Sequence, residues 1–271
     1  MSPTNSNLQR SLLEISNSPQ PFNIYLTTDM SDLWVTSSAC SNCSRTPGFS
    51  NASSSTFQAT QDSAGQPVRV MLNYSTGIVA GDLVQDTVAM GSFQLPHQPW
   101  LLVDQTPAGL LTGSSTGFMG LAFDTVTNLG VTPFWQALAS AGLLATPEMS
   151  LWLTRLLGDQ NAQVEDFGGI FTLGGQNQSL YTGDVEFLPL VTNAGRKTYW
   201  ILNVSGTHPI RHDHVVGFSH PSSSIAGITV DKKNVTIPSG GIAYFFVGTT
   251  LIGGPTAGVS AIYPDSQLPA A

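Results

Sequence analysis

The chain has 271 residues, enough for one or two domains with a sizeable core. Only 10% of residues are charged while 41% are hydrophobic, which excludes disorder and disfavours a bundle of charge-laced surface helices. Nine basic against 17 acidic residues, net -8, give no basic face for nucleic acid, and no apolar run approaches the ~18 residues that would span a membrane.

Along the chain, MSPTNSNLQRSLLEISNSPQ has no apolar signal-peptide core, so the chain as given reads as not exported. Strand-like alternation starts at Leu13. Pro21–Thr28 and Leu33–Ser38 read as two strands joined by a tight polar connection. Residues 41–61 form a Ser/Asn/Thr/Pro loop. Cys40 and Cys43 are the only cysteines. A redox or metal CxxC is one reading, but one CxxC supplies two zinc ligands where about four are wanted. A small disulfide loop between Cys40 and Cys43 is the other.

Val68–Leu95 reads as a long hairpin with its tip at Tyr74-Ser75-Thr76-Gly77, followed by further strands. Gly117–Phe123 is a buried apolar run. Thr132 is placed to cap a helix, with Pro133 at its first position and Gly142 at its end. Phe134, Leu138 and Ala141 form its apolar face. Met149–Leu157, Gly168–Gly175, Asp184–Leu190 and Tyr199–Gly206 read as strands. With 57 Ser and Thr and 27 Gly, the order is mainly β with one or two short helices.

Several of these blocks carry a resemblance. ISNSPQPFNIYLTTDMSDLWV resembles the opening of pepsin-family aspartic endopeptidases of the secreted fungal type. NYSTGIVAGDLVQDTV resembles their flap hairpin. GFMGLAF resembles the strand crossing behind the first catalytic loop. GGIFTLGG and SLYTGDVEFLPL resemble the entry to the second lobe, and VGTTLIGGP the second catalytic loop. The resemblance implies a bilobal, pepsin-like β-barrel fold with a cleft for an extended peptide. It places an N-terminal β lobe with the flap at 1–167 and a C-terminal β lobe at 168–271. That second lobe is expected to be incomplete, because the chain stops at YPDSQLPAA. The family's reaction needs two facing aspartates that share a proton.

Alignment through Leu33-Trp34-Val35 puts Thr27 in the seat of the first aspartate, with Thr28 matching the family threonine. Asp29 stands where the family has glycine, and Met30 where it has serine. Asp29 is expected to point away from Thr27 and to lack a partner. In the second loop Thr249 and Thr250 match. Phe246 falls in the aspartate seat, or an Asp-Thr pair is deleted before Gly248. The resemblance implies Tyr74, Ser75, Thr76, Phe118 and Thr249 as peptide-contacting residues, with Trp34 backing Tyr74. Phe118 and Leu121 read as lining an apolar side-chain pocket or as core, with core packing the safer reading.

Six Asn-x-Ser/Thr sequons stand at Asn42, Asn51, Asn73, Asn177, Asn203 and Asn234. A glycan on Asn73 is expected to crowd the cleft, leaving the other five as glycosylation positions. The resemblance implies secretion and a monomer. Residues 207–226 have no family counterpart and hold His208, His212, His214 and His220. His212-Asp213-His214 sets two imidazoles on one face of a strand, so a metal site there is conceivable, though the reading adopted has no metal and no cofactor. The segment is a retained intron or a solvated loop, and its removal would rejoin NVSG with GITVDKKNV as a strand pair. Three functions compete: a peptide-binding pseudopeptidase, an active aspartic endopeptidase, and a non-enzymatic secreted glycoprotein.

Overall fold

The computed structural model describes residues 10–40, 43, 46–154, 161, 163, 166–204, 215–218, 228–230, 233–235 and 241–247. The chain divides into a first unit of residues 1–177 with 246–249 and a second of residues 178–245 with 250–271. The sequence alone put this division at 167/168. The chain is built mainly of strands, as its composition implies.

In the first unit the strands are β1 (Arg10–Ile15), β2 (Gln20–Thr27), β3 (Leu33–Thr36), β4 (Gln58–Ala59), β5 (Arg69–Tyr74), β6 (Gly77–Met90), β7 (Phe93–Gln105) and β8 (Ser115–Gly120). They form one sheet in the order β1-β2-β8-β3-β7-β6-β4, with β5 paired to β6. β1 also pairs with β6, so the sheet closes on itself as a barrel. Although β2 and β3 are close in sequence, β8 lies between them, parallel to β2 and antiparallel to β3. Every residue of β8 is buried. It passes so close to its neighbours that a Cβ on Gly117 would fall on the Trp34 carbonyl, and one on Gly120 on the Met30 carbonyl.

The predicted hairpin is β5–β6. Its register pairs Tyr74 with Gly77, leaving Ser75 and Thr76 as a two-residue turn. At its base Arg69 grips Asp104 through two bonds of 2.6 Å and reaches Asp82 at 3.3 Å. Two aromatic groups fill the barrel. Phe49 meets Phe22 and the edge of Trp100, and Phe118 lies between Trp34 and Tyr25.

The helix α1 (Phe134–Ser140) starts one residue later than its sequence signals imply. Pro133 is in an extended conformation and is itself the cap, its carbonyl accepting the Ala137 N–H at 2.9 Å. The Thr132 carbonyl instead accepts Gln98 Nε2 at 3.1 Å. Phe134, Trp135 and Leu138 are buried, so Trp135 takes the core role predicted for Ala141, which is exposed. Gly142 ends the helix in the left-handed region, letting Leu143 N–H reach the Leu138 carbonyl at 3.0 Å. Beyond it, β9 (Met149–Leu153) pairs antiparallel with β10 (Gly169–Leu173).

The second unit holds β11 (Val185–Leu188), β12 (Thr192–Asn193), β13 (Arg196–Lys197), β14 (Ile201–Val204), β15 (Val215–Phe218), β16 (Ile228–Val230), β17 (Lys233–Val235) and β18 (Gly241–Tyr244). β12 and β13 join through Ala194 and Gly195, both at positive φ, as a tight hairpin turn requires. β15 lies inside the unmatched segment 207–226 and runs parallel to β11. β14 pairs with β18, and β16 with β17. β18 is far along the chain, so local pattern could not have named it as the partner of β14. His208, His212, His214 and His220 lie outside the described residues. Among the described residues no group of three His, Cys, Asp or Glu could hold a metal, and no helix is long and apolar enough to cross a membrane.

Candidate functional site

The floor is the loop that leaves β2. Thr27 and Thr28 are buried, Asp29 is exposed, and Ser31 and Asp32 are buried again. The chain following β8 and the last residue of β8 hold this loop from behind. Leu121 N–H donates to the Thr27 carbonyl at 2.7 Å, Ala122 N–H to Met30 at 2.9 Å, and Gly120 N–H to Asp32 at 2.9 Å. Only glycine at position 120 allows that approach.

The Thr27 hydroxyl donates to Asp29 Oδ1. This corrects the expectation that Asp29 points away from Thr27; the partner it meets is a hydroxyl and not a second carboxyl. A short polar side chain two residues from a hydroxyl folds back onto it where the backbone turns sharply. Thr28 faces Val247. Its Oγ1 accepts the Val247 N–H at 2.8 Å, and its own N–H donates to the Val247 carbonyl at 3.3 Å. Val247 is thus the residue set against Thr28. Phe246 precedes Val247 as Thr27 precedes Thr28, and it is exposed. Thr249 lies outside the described residues.

Asp32 is a buried carboxylate with four donors. It accepts Thr127 Oγ1 at 2.5 Å, Asn128 N–H at 3.1 Å, Asn128 Nδ2 at 2.9 Å and Leu129 N–H at 3.2 Å. All are neutral groups from one loop. In the floor, then, Asp29 is bonded to Thr27 and Asp32 to residues 127–129, and among the described residues neither carboxylate meets another.

Over the floor lies the hairpin tip. Trp34 Nε1 donates to Tyr74 Oη at 2.8 Å, and Tyr74 Oη donates to Met30 Sδ at 3.2 Å. Trp34, fully buried, serves both as core and as the partner of Tyr74. Burial lifts the Tyr74 hydroxyl well above the ordinary phenol value. The Trp34 bond opposes this, and the negative charges of Asp32 and Asp29 add to it. The sign for stability follows: the contribution is intact below the free-phenol pKa of about 10 and is lost as pH rises toward the folded value. Tyr74→Phe is therefore expected to flatten the fall in stability above about pH 10, read by urea midpoints across alkaline pH.

Ser75 and Thr76 are exposed at the turn, and Gly77 at φ 135° sits against Pro107. Phe118, predicted to contact peptide, is closed in. It stacks on Trp34 with centroids 5.1 Å apart, lies 5.0 Å from Tyr25 and 6.4 Å from Tyr74, and is 9% exposed. Leu121 is fully buried. Phe118 on β8 and Leu121 just beyond it are both packed in the core. Cys40 and Cys43 are joined by a disulfide, with Cα atoms 5.6 Å apart, and Cys43 packs with Tyr25, Trp34 and Leu101.

Asn73 is exposed on the face of the hairpin opposite Leu72. Asn51 and Asn203 are exposed and Asn177 half-buried. Asn234 lies on β17, and Asn42 falls outside the described residues.

The floor loop is thus backed by a glycine-bearing strand and lies under a hairpin whose Tyr74 is held by Trp34 of β3. The family described as eukaryotic aspartyl protease matches this chain over residues 11–267. The chain belongs to the eukaryotic aspartyl protease family. Among its relatives, Major aspartyl peptidase 1 of Cryptococcus neoformans var. grubii is 33% identical over 254 residues, covering 93% of this chain and 47% of that protein. Pepsin A of Sus scrofa is 28% identical over 93% of this chain and 56% of its own length. Vacuolar protease A of Arthroderma otae is 28% identical over 94% of this chain and 55% of its own. The chain thus spans about half the length of the curated relatives it matches.

Within this aspartyl protease frame, the sequence had marked Thr27, Tyr74 and Trp34 as parts of one site; the structure bonds Trp34 to Tyr74, and Tyr74 to Met30 of the loop that begins at Thr27. The sequence missed the Asp32 network and the Met30–Tyr74 bond. The only trace of the first was Thr127-Asn128, two good donors in a loop, and nothing local linked them to position 32.

Proposed function

We propose that this aspartyl protease homologue is a pseudopeptidase that binds an extended peptide beneath its flap without hydrolysing it. The observation that carries the reading is the Thr27 hydroxyl, in the seat of the first aspartate, donating to Asp29. Amide hydrolysis of this type takes two carboxyls that share a proton, one as base on water and one as acid on the carbonyl. A threonine hydroxyl is not appreciably ionised near neutral pH, and a phenylalanine at 246 accepts no proton. The nearby aspartates do not replace the pair. Asp32 is enclosed by donors, and Asp29, exposed, is bonded to the Thr27 hydroxyl and among the described residues to no second carboxyl. Tyr74, Ser75 and Thr76 are the flap residues proposed to touch peptide, with Thr249 from the second loop.

The Cys40–Cys43 disulfide and the exposed sequons at Asn51 and Asn203 favour export and glycosylation. The test is an acid-pH digest of a fluorogenic peptide by the purified chain, with and without pepstatin. No pepstatin-sensitive cleavage is expected, together with measurable peptide binding by calorimetry. Pepstatin-sensitive turnover would establish the active endopeptidase instead. Silence across a diverse peptide library would leave a non-enzymatic glycoprotein.

A further inference from the structure

We propose that Asp29 makes the floor beneath the flap a recognition point for a basic side chain, lysine or arginine, of the bound peptide. The inference rests on the peptide-binding reading above and names its ligand class. Asp29 is exposed, while Thr27 and Thr28 beside it are buried. The Thr27 hydroxyl occupies Oδ1 and so holds the carboxylate in one orientation. Its other oxygen carries no hydrogen bond among the described residues. Asp29 has no ion-pair partner among them either, whereas Arg69 is already engaged by Asp82 and Asp104.

A second charge deepens the negative potential. Asp32, three residues on, is bonded only by the neutral groups of residues 127–129. Two carboxylates thus share one short loop, and among the described residues no cation pairs with either. Their field reaches the flap, where both act on the Tyr74 hydroxyl.

The groups around Asp29 suit the rest of such a side chain. Met30 is half-buried, and its thioether already touches the Tyr74 hydroxyl. Lysine and arginine carry a long apolar stem below a cationic head. As the flap lifts, the stem packs on Met30 and the tyrosine ring while the head meets the carboxylate, and a cation beside an aromatic face gains further attraction. A glutamate in the same place would face two like charges.

The test uses octapeptides identical except for a central Lys, Arg, norleucine or Glu, with affinity read by fluorescence polarisation on the full chain. Lys and Arg are expected to bind about fivefold tighter than norleucine, with Glu weakest. The order should collapse in Asp29→Asn, and in about 1 M salt, where the Debye length is about 3 Å. Peptides that bind with no charge preference, or a preference that survives Asp29→Asn, would overturn the inference and leave the peptide-binding reading standing. Butylguanidinium chloride reads the site without any peptide. Saturable amide shifts at Thr28–Met30, absent with sodium chloride and lost in Asp29→Asn, would uphold the basic-group site even if no peptide bound. No such shifts would overturn it. Unchanged circular dichroism confirms that the exposed substitution leaves the fold intact.

Discussion

Replacing Asp32 with alanine is expected to destabilise the first unit by about 3–5 kcal/mol. The carboxylate is 1% exposed and accepts Thr127 Oγ1, both nitrogens of Asn128 and Leu129 N–H. A hydrogen bond to a charged group contributes about 1.5–3 kcal/mol, and a buried donor left without an acceptor adds its own desolvation cost. The contributions do not sum fully, because the exposed Asn128 regains water once freed. Asp32→Asn keeps one carbonyl acceptor and should cost about half as much. The check is the urea midpoint at unchanged m-value, with amide exchange at Leu129 as the local probe. A loss under about 1 kcal/mol would mean that water replaces the carboxylate, and that Asp32 does not hold residues 127–129 to the floor.

Trp34→Ala is the second large effect, about 3–5 kcal/mol. The side chain is fully buried, stacks on Phe118 and meets Tyr74 edge-on at 6.4 Å. Truncation leaves a cavity that a closed barrel cannot collapse around, since its strands are tied on both sides. It also removes the Nε1 donor to Tyr74. Trp34→Phe separates the two roles. It keeps most of the ring and deletes only the donor, so stability should fall by about 1–2 kcal/mol while amide exchange at residues 72–78 rises as in the alanine variant. Flap exchange unchanged in Trp34→Phe would show that ring packing alone seats the hairpin.

These variants sit where local and long-range determinants meet. The strands of the first unit were legible because their apolar runs and turn residues are local signals. Val68–Leu95 reads as a hairpin from its own residues, and Tyr74 and Gly77 do face each other across its turn. Leu33-Trp34-Val35 also sets the count by which the resemblance assigns Thr27 to the first aspartate's position. The order of the strands was not legible. β2 and β3 follow one another in the chain, yet β8 divides them. Its all-buried STGFMG pattern speaks of burial on both faces, not of which neighbours supply it.

The function itself depends on the same division. Residue identity alone determined that Thr27 and Phe246 bring no carboxyl to their positions, that Tyr74 stands at a hairpin tip, and that two cysteines three apart are able to close a small loop. Those are properties of covalent order, readable wherever the chain lies. Only the tertiary structure decided that Asp29 turns back to the Thr27 hydroxyl, that Met30 receives Tyr74, and that residues 127–129 satisfy Asp32. Each of these contacts depends on how the backbone turns or on what lies nearby once the barrel has closed. Hydrogen bonds of this kind act over about 3 Å, so no pattern along the sequence could report them before folding had set the distances.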